Sequence, residues 1–211
     1  MCKRLRITAA LVLTLMITAG CASHFQLSDS HVDIYKRIHD KYNRMKSYTA
    51  EVTLTVKSRK SEQVYRLSQQ VKEPELAAIT IREPDSLSGL RTVFNGSQVR
   101  IESPAAPEGL VTTTQKMPNA LLVNQFFSIY YQSEETAISV NSQESGGTML
   151  LETECRPQKA EAYKVTLLLD TKTLEPKNIT VFDVGGNVRM LAEFTEFVYN
   201  PSLPEEIFFI Q

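Results

Sequence analysis

One stretch decides the fold class: Tyr48-Thr49-Ala50-Glu51-Val52-Thr53-Leu54-Thr55-Val56-Lys57. Apolar and polar residues alternate along it, whereas the residues before it repeat with a helical period. A period of two places successive side chains on opposite faces of an extended chain. The stretch therefore predicts a β-strand with one apolar face.

An amphipathic helix is predicted directly before this strand. Ser30 is placed to cap the helix, and Asp33 follows three residues later, as in a capping box. Charged residues occupy one side of the helix, and packing of the other side on a sheet is favoured over a helix that lies on a membrane surface. The apolar side consists of Val32, Tyr35, Ile38, Tyr42 and Met45.

Short strands and tight turns follow to the end of the chain. Asn95-Gly96 and Gly185-Gly186-Asn187 are typical of hairpins, because these residue types adopt the positive φ of a tight turn. The pattern predicts an α+β, mostly β fold, in which a large curved antiparallel sheet or open half-barrel is covered by two or three helices. The further strands are predicted at residues 64–71, 76–81, 90–94, 98–101, 110–115, 137–140, 149–154, 163–169, 177–183 and 188–199, and a last short strand is predicted at residues 207–210.

A second helix is predicted at residues 118–132, where Pro118 suits the first turn. Most of its surface is apolar and only a narrow polar stripe remains. Such a helix is either buried on nearly all sides or lines an apolar site, and it is the candidate lid of that site. Its apolar residues are Leu121, Leu122, Val123, Phe126, Phe127, Ile129 and Tyr130.

The N-terminal residues have the pattern of an export signal. Lys3, Arg4 and Arg6 precede an apolar run at residues 7–17, and small residues follow the run. This order is typical of a secretory signal peptide, and the run is too short to span a bilayer with margin.

The end of that signal, Thr18-Ala19-Gly20-Cys21, resembles a bacterial lipobox, in which the chain is cut before the cysteine and the thiol carries diacylglycerol. Thr18 departs from the motif, which usually has Leu there. The alternative is an ordinary cleaved signal followed by an incidental cysteine. We expect a lipoprotein signal peptide at residues 1–20, a lipidated tether at 21–29 and a single domain at 30–211.

Composition argues against several classes of function. A formal net charge of −1 provides no basic field for nucleic acid. No motif of metalloproteases, serine hydrolases, phosphate loops or dinucleotide sites occurs, so we expect no catalytic residues, no metal, no cofactor and no enzyme activity. Cys155 is expected to be a strand residue, and His24, His31 and His39 are expected to be solvated.

The order of these features resembles the LolA/LolB-like lipoprotein-localisation superfamily. The resemblance begins at Met45-Lys46-Ser47-Tyr48 and continues at Val93-Phe94-Asn95-Gly96-Ser97-Gln98-Val99. It is clearest at Leu169-Asp170-Thr171-Lys172-Thr173-Leu174-Glu175-Pro176-Lys177 and extends from Phe182-Asp183 through Phe194 to Asn200 and Phe208. It implies a half-open barrel whose cavity holds acyl chains, and Cys21 places the chain nearer the anchored members than the soluble carriers.

Two functions remain open under this resemblance. The first is a membrane-anchored extracytoplasmic lipoprotein that binds acyl chains of a lipid or lipoprotein. The second is that of a GerS-like germination lipoprotein, a non-enzymatic partner of a cell-wall (spore cortex) amidase. The lipid on Cys21 would hold the protein in the outer membrane of a two-membrane bacterium, or on the outer face of the plasma membrane of a one-membrane bacterium. The expected cavity residues, each of which could also be plain core, are Tyr65, Leu67, Phe94, Leu122, Phe126, Phe127, Ile129, Tyr130, Phe182 and Phe194.

Overall fold

The computed structural model describes residues 29–113, 121–141, 147–155 and 163–210. The chain divides into two units, residues 1–33 and 34–211, and only the opening turn of a helix is described in the first. The α-helices are α1 (Asp29–Asn43) and α2 (Val123–Gln132), and short 3-10 helices lie at Asp85–Leu87 and Glu205–Phe208. The strands are β1 (Ser47–Lys57), β2 (Glu62–Lys72), β3 (Leu76–Glu83), β4 (Arg91–Asn95), β5 (Gln98–Ser103), β6 (Ala106–Thr113), β7 (Thr136–Asn141), β8 (Thr148–Cys155), β9 (Tyr163–Asp170), β10 (Pro176–Phe182) and β11 (Val188–Tyr199).

These strands form one eleven-stranded antiparallel sheet in the order β6-β5-β4-β3-β2-β1-β11-β10-β9-β8-β7. Two runs of hairpin-connected strands, β1 to β6 and β7 to β11, are joined where β1 pairs with β11. The edge strands β6 and β7 are not paired with each other, so the sheet is not closed into a barrel. The predicted fold class, a large antiparallel sheet with few helices, is confirmed.

The alternation of β1 sets which face of the sheet carries the core. Tyr48, Ala50 and Val52 are buried on what we call the inner face. Val52 lies opposite Leu67 of β2 and Phe194 of β11, and directly opposed residues of paired strands project from the same face. The same register carries the apolar face from the first half of the sheet to the second. The other face is the outer face.

A β-bulge in β11 alters this alternation. The register shifts between Thr49 and Glu51 of β1, where β11 inserts an extra residue, and Glu196 takes a positive φ of 50°. The bulge brings the ring of Phe197 to the inner face, where it stacks on Tyr48 with 5.1 Å between the ring centroids. A strict period of two would have directed Phe197 to the outer face.

The connection from α1 to β1 is held by a residue from the far end of the chain. Asn200 Oδ1 accepts hydrogen bonds from the backbone N–H groups of Lys46 (2.6 Å) and Ser47 (3.2 Å). The amide nitrogen of Asn200 donates to the carbonyl of Arg44 at 3.4 Å. The last of these bonds satisfies a carbonyl directly after the C-terminal end of α1, and the other two satisfy N–H groups where the chain enters β1.

The turn between β9 and β10 contains a bulky residue in a left-handed conformation. Leu174 has a φ of 58°, its side chain is buried, and its carbonyl accepts a 2.9 Å hydrogen bond from the Tyr42 hydroxyl of α1. Asp170 Oδ1 accepts the backbone N–H groups of Lys172 and Thr173 at 2.8 Å and 3.0 Å. The hydrogen bond from Thr173 is the main reason that the pKa of Asp170 is lowered. The turn therefore docks the C-terminal end of α1 onto the sheet.

The last residues differ from the predicted strand at residues 207–210. A 3-10 helix at Glu205–Phe208 lies there instead. Pro201 and Pro204 have no backbone N–H for a ladder, so the chain leaves the sheet after β11. It covers a small apolar cluster on the outer face, whose buried members are Ala78, Val93 and Phe208.

Most predicted strand bounds differ from the observed ones by one or two residues, and the differences at α1, α2 and β6 each involve a specific residue. Helix α1 begins at Asp29, so Ser30 lies within the helix instead of preceding it. Helix α2 begins at Val123, and Pro118, the predicted first residue, lies outside the described residues. Strand β6 already begins at Ala106 and contains Pro107, which an edge strand tolerates because one of its sides makes no ladder hydrogen bonds.

Candidate functional site

Helix α2 fills one half of the inner face. Phe126 is fully buried, and its ring centroid lies 5.6 Å from that of Phe127 and 5.8 Å from that of Tyr130. The helix packs against β8, where Met149 and Leu151 are fully buried. The aromatic side chains of α2 are therefore part of the main core between this helix and the second run of strands.

A buried tyrosine connects α2 to the middle of the sheet. The hydroxyl of Tyr48 donates to Gln69 Oε1 at 3.0 Å and accepts the backbone N–H of Val123 at 3.3 Å. Burial is the main reason that the pKa of Tyr48 is raised, so this phenol stays neutral and keeps both roles. The hydroxyl satisfies one N–H in the first turn of α2, a turn whose N-cap residue, Leu122, makes no side-chain capping bond.

The other half of the inner face contains an apolar cavity of about 220 Å³. It lies over β1 to β4 and reaches Ala192 of β11. Leu54, Ile79 and Ile81 are only half-buried, so solvent reaches their side chains. The lining residues are Val52, Leu54, Leu67, Gln69, Ile79, Ile81, Thr92, Leu121 and Ala192.

The cavity offers apolar contact and little polar chemistry. Its polar lining side chains are Gln69 and Thr92, and the oxygen of Gln69 is already engaged by Tyr48. No titratable side chain occurs among the described residues that line it. Such a site binds by burying apolar surface and has no group that could move a proton.

The structure places the ten expected cavity residues in different environments. Leu67 lines the apolar cavity, and Tyr65 lies beside it, opposite Leu54 of β1. Phe182 lies on the outer face, where the Lys164 ammonium is 4.8 Å from its ring centroid. Ile129 is half-buried. Those that lie buried are Phe94, Leu122, Phe126, Phe127, Tyr130 and Phe194.

Most of the cavity lining was missed by the sequence analysis. Ile79 and Ile81 alternate with polar or charged residues in β3, which predicted a strand but not which strands neighbour it. Leu121 was assigned to the second helix, whereas it lies two residues before α2 and lines the cavity. Strand pairing, which the local pattern does not specify, brings these side chains together.

The described parts of the chain contain neither a metal-binding cluster nor a helix able to span a membrane. No group of three or more His, Cys, Asp or Glu side chains is arranged to hold a metal ion in residues 29–113, 121–141, 147–155 and 163–210. Neither α-helix in those ranges combines the length and the apolar character that crossing a membrane requires.

Solved structures share the fold at low sequence identity. An uncharacterised conserved protein from Thermus thermophilus is 16% identical with a TM-score of 0.50, and the match covers 85% of this chain and 93% of that one. A chain in the complex of the CwlD amidase with the GerS lipoprotein from Clostridioides difficile is 22% identical with a TM-score of 0.49, covering 83% and 98%. A LolA superfamily protein from Nitrosomonas europaea is 14% identical with a TM-score of 0.46, covering 85% and 97%.

One of these structures is of a LolA superfamily protein and another is of a complex that contains a GerS lipoprotein, and the sequence resembles both groups. No curated protein matches this sequence significantly. A family model described as "Sporulation protein YdcC-like" matches residues 3–208. Because this match spans nearly the whole sequence, the chain belongs to the sporulation protein YdcC-like family.

Proposed function

We propose that this protein is a membrane-anchored extracytoplasmic lipoprotein that binds an acyl chain in the apolar cavity of its inner face and catalyses no reaction. The observation that carries the proposal is the unequal coverage of the inner face. Helix α2 covers the β8 side, whereas half-buried isoleucine and leucine side chains line a cavity over β1 to β4.

The affinity of such a site comes from burial alone. Each buried CH₂ group contributes about 0.8 kcal/mol, so about six methylenes in the cavity contribute about 5 kcal/mol without a polar contact. The one side-chain amide in the lining, that of Gln69, accepts a hydrogen bond from Tyr48 through its oxygen, so this oxygen needs no hydrogen bond from a ligand. A ligand that is uncharged and apolar over its inserted length therefore suits the cavity best.

The size of the cavity limits how much of a ligand it holds. Its volume of about 220 Å³ is below the roughly 300–1,000 Å³ of pockets for drug-sized ligands. It exceeds an engineered apolar cavity of about 150 Å³ that binds benzene. We therefore propose that the cavity takes the terminal part of one acyl chain, not a whole lipid.

The same volume favours a second function, in which the cavity takes an apolar side chain of a protein partner. In that case the protein would act as a non-enzymatic partner, and a cell-wall amidase is the partner that the GerS-like resemblance implies. The description of the family names sporulation, and we propose that either role serves the cell envelope of a spore-forming cell.

Neighbouring residues of β3 provide a matched test. Ile79 lines the cavity, whereas Thr80 lies on the outer face among polar residues, and both are half-buried. Ile79→Glu places a carboxylate where the acyl chain is proposed to lie, and we expect it to weaken binding of a fluorescent fatty acid at least about tenfold, which is about 1.4 kcal/mol. Thr80→Glu adds the same charge to the same strand and should leave binding within about twofold of wild type.

Binding is measured by fluorescence titration of the purified protein, and mass spectrometry of an organic extract identifies any lipid that co-purifies. Equal affinity in wild type and Ile79→Glu would contradict the acyl-chain proposal. A wild-type protein that binds no fatty acid, together with a protein partner that Ile79→Glu but not Thr80→Glu fails to retain, would support the second function.

A further inference from the structure

A second concave site shares no lining residue with the apolar cavity. It is a cleft of about 480 Å³ between the C-terminal end of α1, the β2–β3 turn and one side of α2. The α2 side is built from residues at helical spacing, so one stripe of that helix faces the cleft. The lining residues are Tyr42, Asn43, Met45, Lys46, Glu73, Pro74, Asn124, Phe127, Ser128 and Tyr131.

A buried acceptor without a partner lies in this cleft. Asn124 is only 9% exposed, and its Oδ1 is buried with no hydrogen-bond partner among the described residues. The Asn124 side chain hydrogen-bonds the Glu73 carboxylate, which leaves the amide nitrogen as the donor of that bond. An unpaired acceptor of this kind costs roughly 1–3 kcal/mol, so a rotation of the Asn124 side chain that turns the acceptor towards a donor in the cleft recovers much of that cost.

The negative charge of the neighbouring Glu73 carboxylate is not fully stabilised by its surroundings. Burial raises the pKa of Glu73, and neither the Asn124 hydrogen bond nor the charge of Lys46 offsets this effect. Lys46 is exposed, on the rim of the cleft. The charged form of Glu73 therefore gains from an added cation that carries hydrogen-bond donors.

Aromatic rings form the wall next to these acceptors. Tyr42 and Phe127 stack with 4.4 Å between their centroids, and the centroid of Tyr131 is 5.7 Å from that of Phe127. Tyr131 is 41% exposed, so part of its side chain is open to a ligand, and its ring meets the His39 ring edge-on with 4.9 Å between the centroids. Planar cations stack favourably on such rings.

We propose that this cleft binds a guanidinium group, presented as an arginine side chain by a protein partner. The planar group has five N–H donors, enough to bond the Glu73 carboxylate and Asn124 Oδ1 together while its face lies on Tyr131. An ammonium group is a point charge and does not stack in this way. The inference is independent of the acyl-chain function, because the two sites share no lining residue.

An anion fits the cleft less well, although helix N-termini attract anions. The carboxylate of Glu73 already lies at the first turn of α2 through its bond to Asn124. A second anion there would face like charge, and Lys46 on the rim is the only cationic side chain among the described residues that line the cleft.

The test is a titration of the purified full chain with N-acetyl-arginine methylamide, followed by NMR of the Asn124 side-chain amide and the α2 backbone. We expect saturable shifts at both. Glu73→Gln keeps the shape of the side chain and removes the charge, so it should weaken binding at least about tenfold. Glu75→Gln removes a neighbouring charge that acts on Glu73 but lies outside the described lining, so it should weaken binding clearly less than Glu73→Gln does.

Substitution of the exposed rim residue Lys46 is expected to strengthen binding, whereas Glu73→Gln is expected to weaken it. Lys46→Met removes a competing cation and should tighten binding about twofold or more, and it does so without touching a buried group. Thermal melting of each variant shows that it is folded. The proposal is overturned by an absence of saturable shifts, by equal loss in Glu73→Gln and Glu75→Gln, by weaker binding in Lys46→Met, or by equal shifts with N-acetyl-norleucine methylamide or inorganic phosphate.

Discussion

At the scale of single residues, one hydroxyl group supports both the sheet and the helix above it. Tyr48 is fully buried, and its hydroxyl bonds Gln69 and the backbone of Val123. Tyr48→Phe keeps the ring but leaves a buried N–H and a buried amide oxygen unpaired. We expect it to lower the free energy of unfolding by about 1–3 kcal/mol, measured by urea denaturation.

Another tyrosine of the same sheet serves as the control for that prediction. The hydroxyl of Tyr65 bonds Gln63 in an exposed pair. Water replaces that contact, so Tyr65→Phe should change stability by less than about 0.5 kcal/mol. A loss in Tyr48→Phe no larger than in Tyr65→Phe would show that the buried hydroxyl does not hold α2.

At the scale of elements, α2 has a structural role in the core, whereas the site proposed for acyl chains lies beside it. Phe126 is fully buried among the aromatic rings of α2, and the helix packs against β8. Phe126→Ala should lower the free energy of unfolding by about 3–5 kcal/mol, as cavity-forming substitutions of Phe do. Chemical denaturation measures this change.

Ser128 of the same helix is exposed, and Ser128→Ala should be within about 0.5 kcal/mol of wild type. Fatty-acid binding per folded molecule should be unchanged by Phe126→Ala, because Phe126 does not line the apolar cavity. A small loss of stability together with a large loss of fatty-acid binding would instead identify Phe126 as part of the ligand site.

At the scale of the whole molecule, the proposed roles depend on attachment to a membrane. We expect Cys21 to carry lipid, because it follows a basic start, an apolar run and Ala-Gly. A single chain anchors only marginally, so the several acyl chains of a bacterial lipoprotein matter. Cys21→Ala should abolish labelling by radioactive fatty acid and release the protein from washed membranes or leave it unprocessed.

Fatty-acid labelling and membrane fractionation of wild type and Cys21→Ala in parallel test that expectation. Equal labelling and equal membrane retention would contradict it. A soluble Cys21→Ala protein that still binds fatty acid would separate the anchor from the cavity, because the cavity residues all come from the domain.

Much of the fold follows from local pattern in the sequence. The alternation from Tyr48 to Lys57 predicted β1, and Asn95-Gly96 predicted the β4–β5 hairpin, in which Gly96 has a φ of 95°. Both features depend on neighbouring residues only. The period of two and the positive φ are properties of the chain itself, so they are visible before any tertiary contact forms.

The sites, by contrast, depend on contacts between residues far apart in sequence. Tyr48 meets Val123 at a separation of 75 residues, and Tyr42 meets Leu174 at 132. Whether an apolar residue fills the core or lines a cavity is decided by which strands pair and where α2 packs. The sequence by itself determined the strands, the turns and the apolar face, because these rest on local geometry. Only the tertiary structure decided that α2 covers β8, that the cavity opens over β1 to β4 and that Asn124 Oδ1 finds no partner among the described residues, because these result from long-range packing.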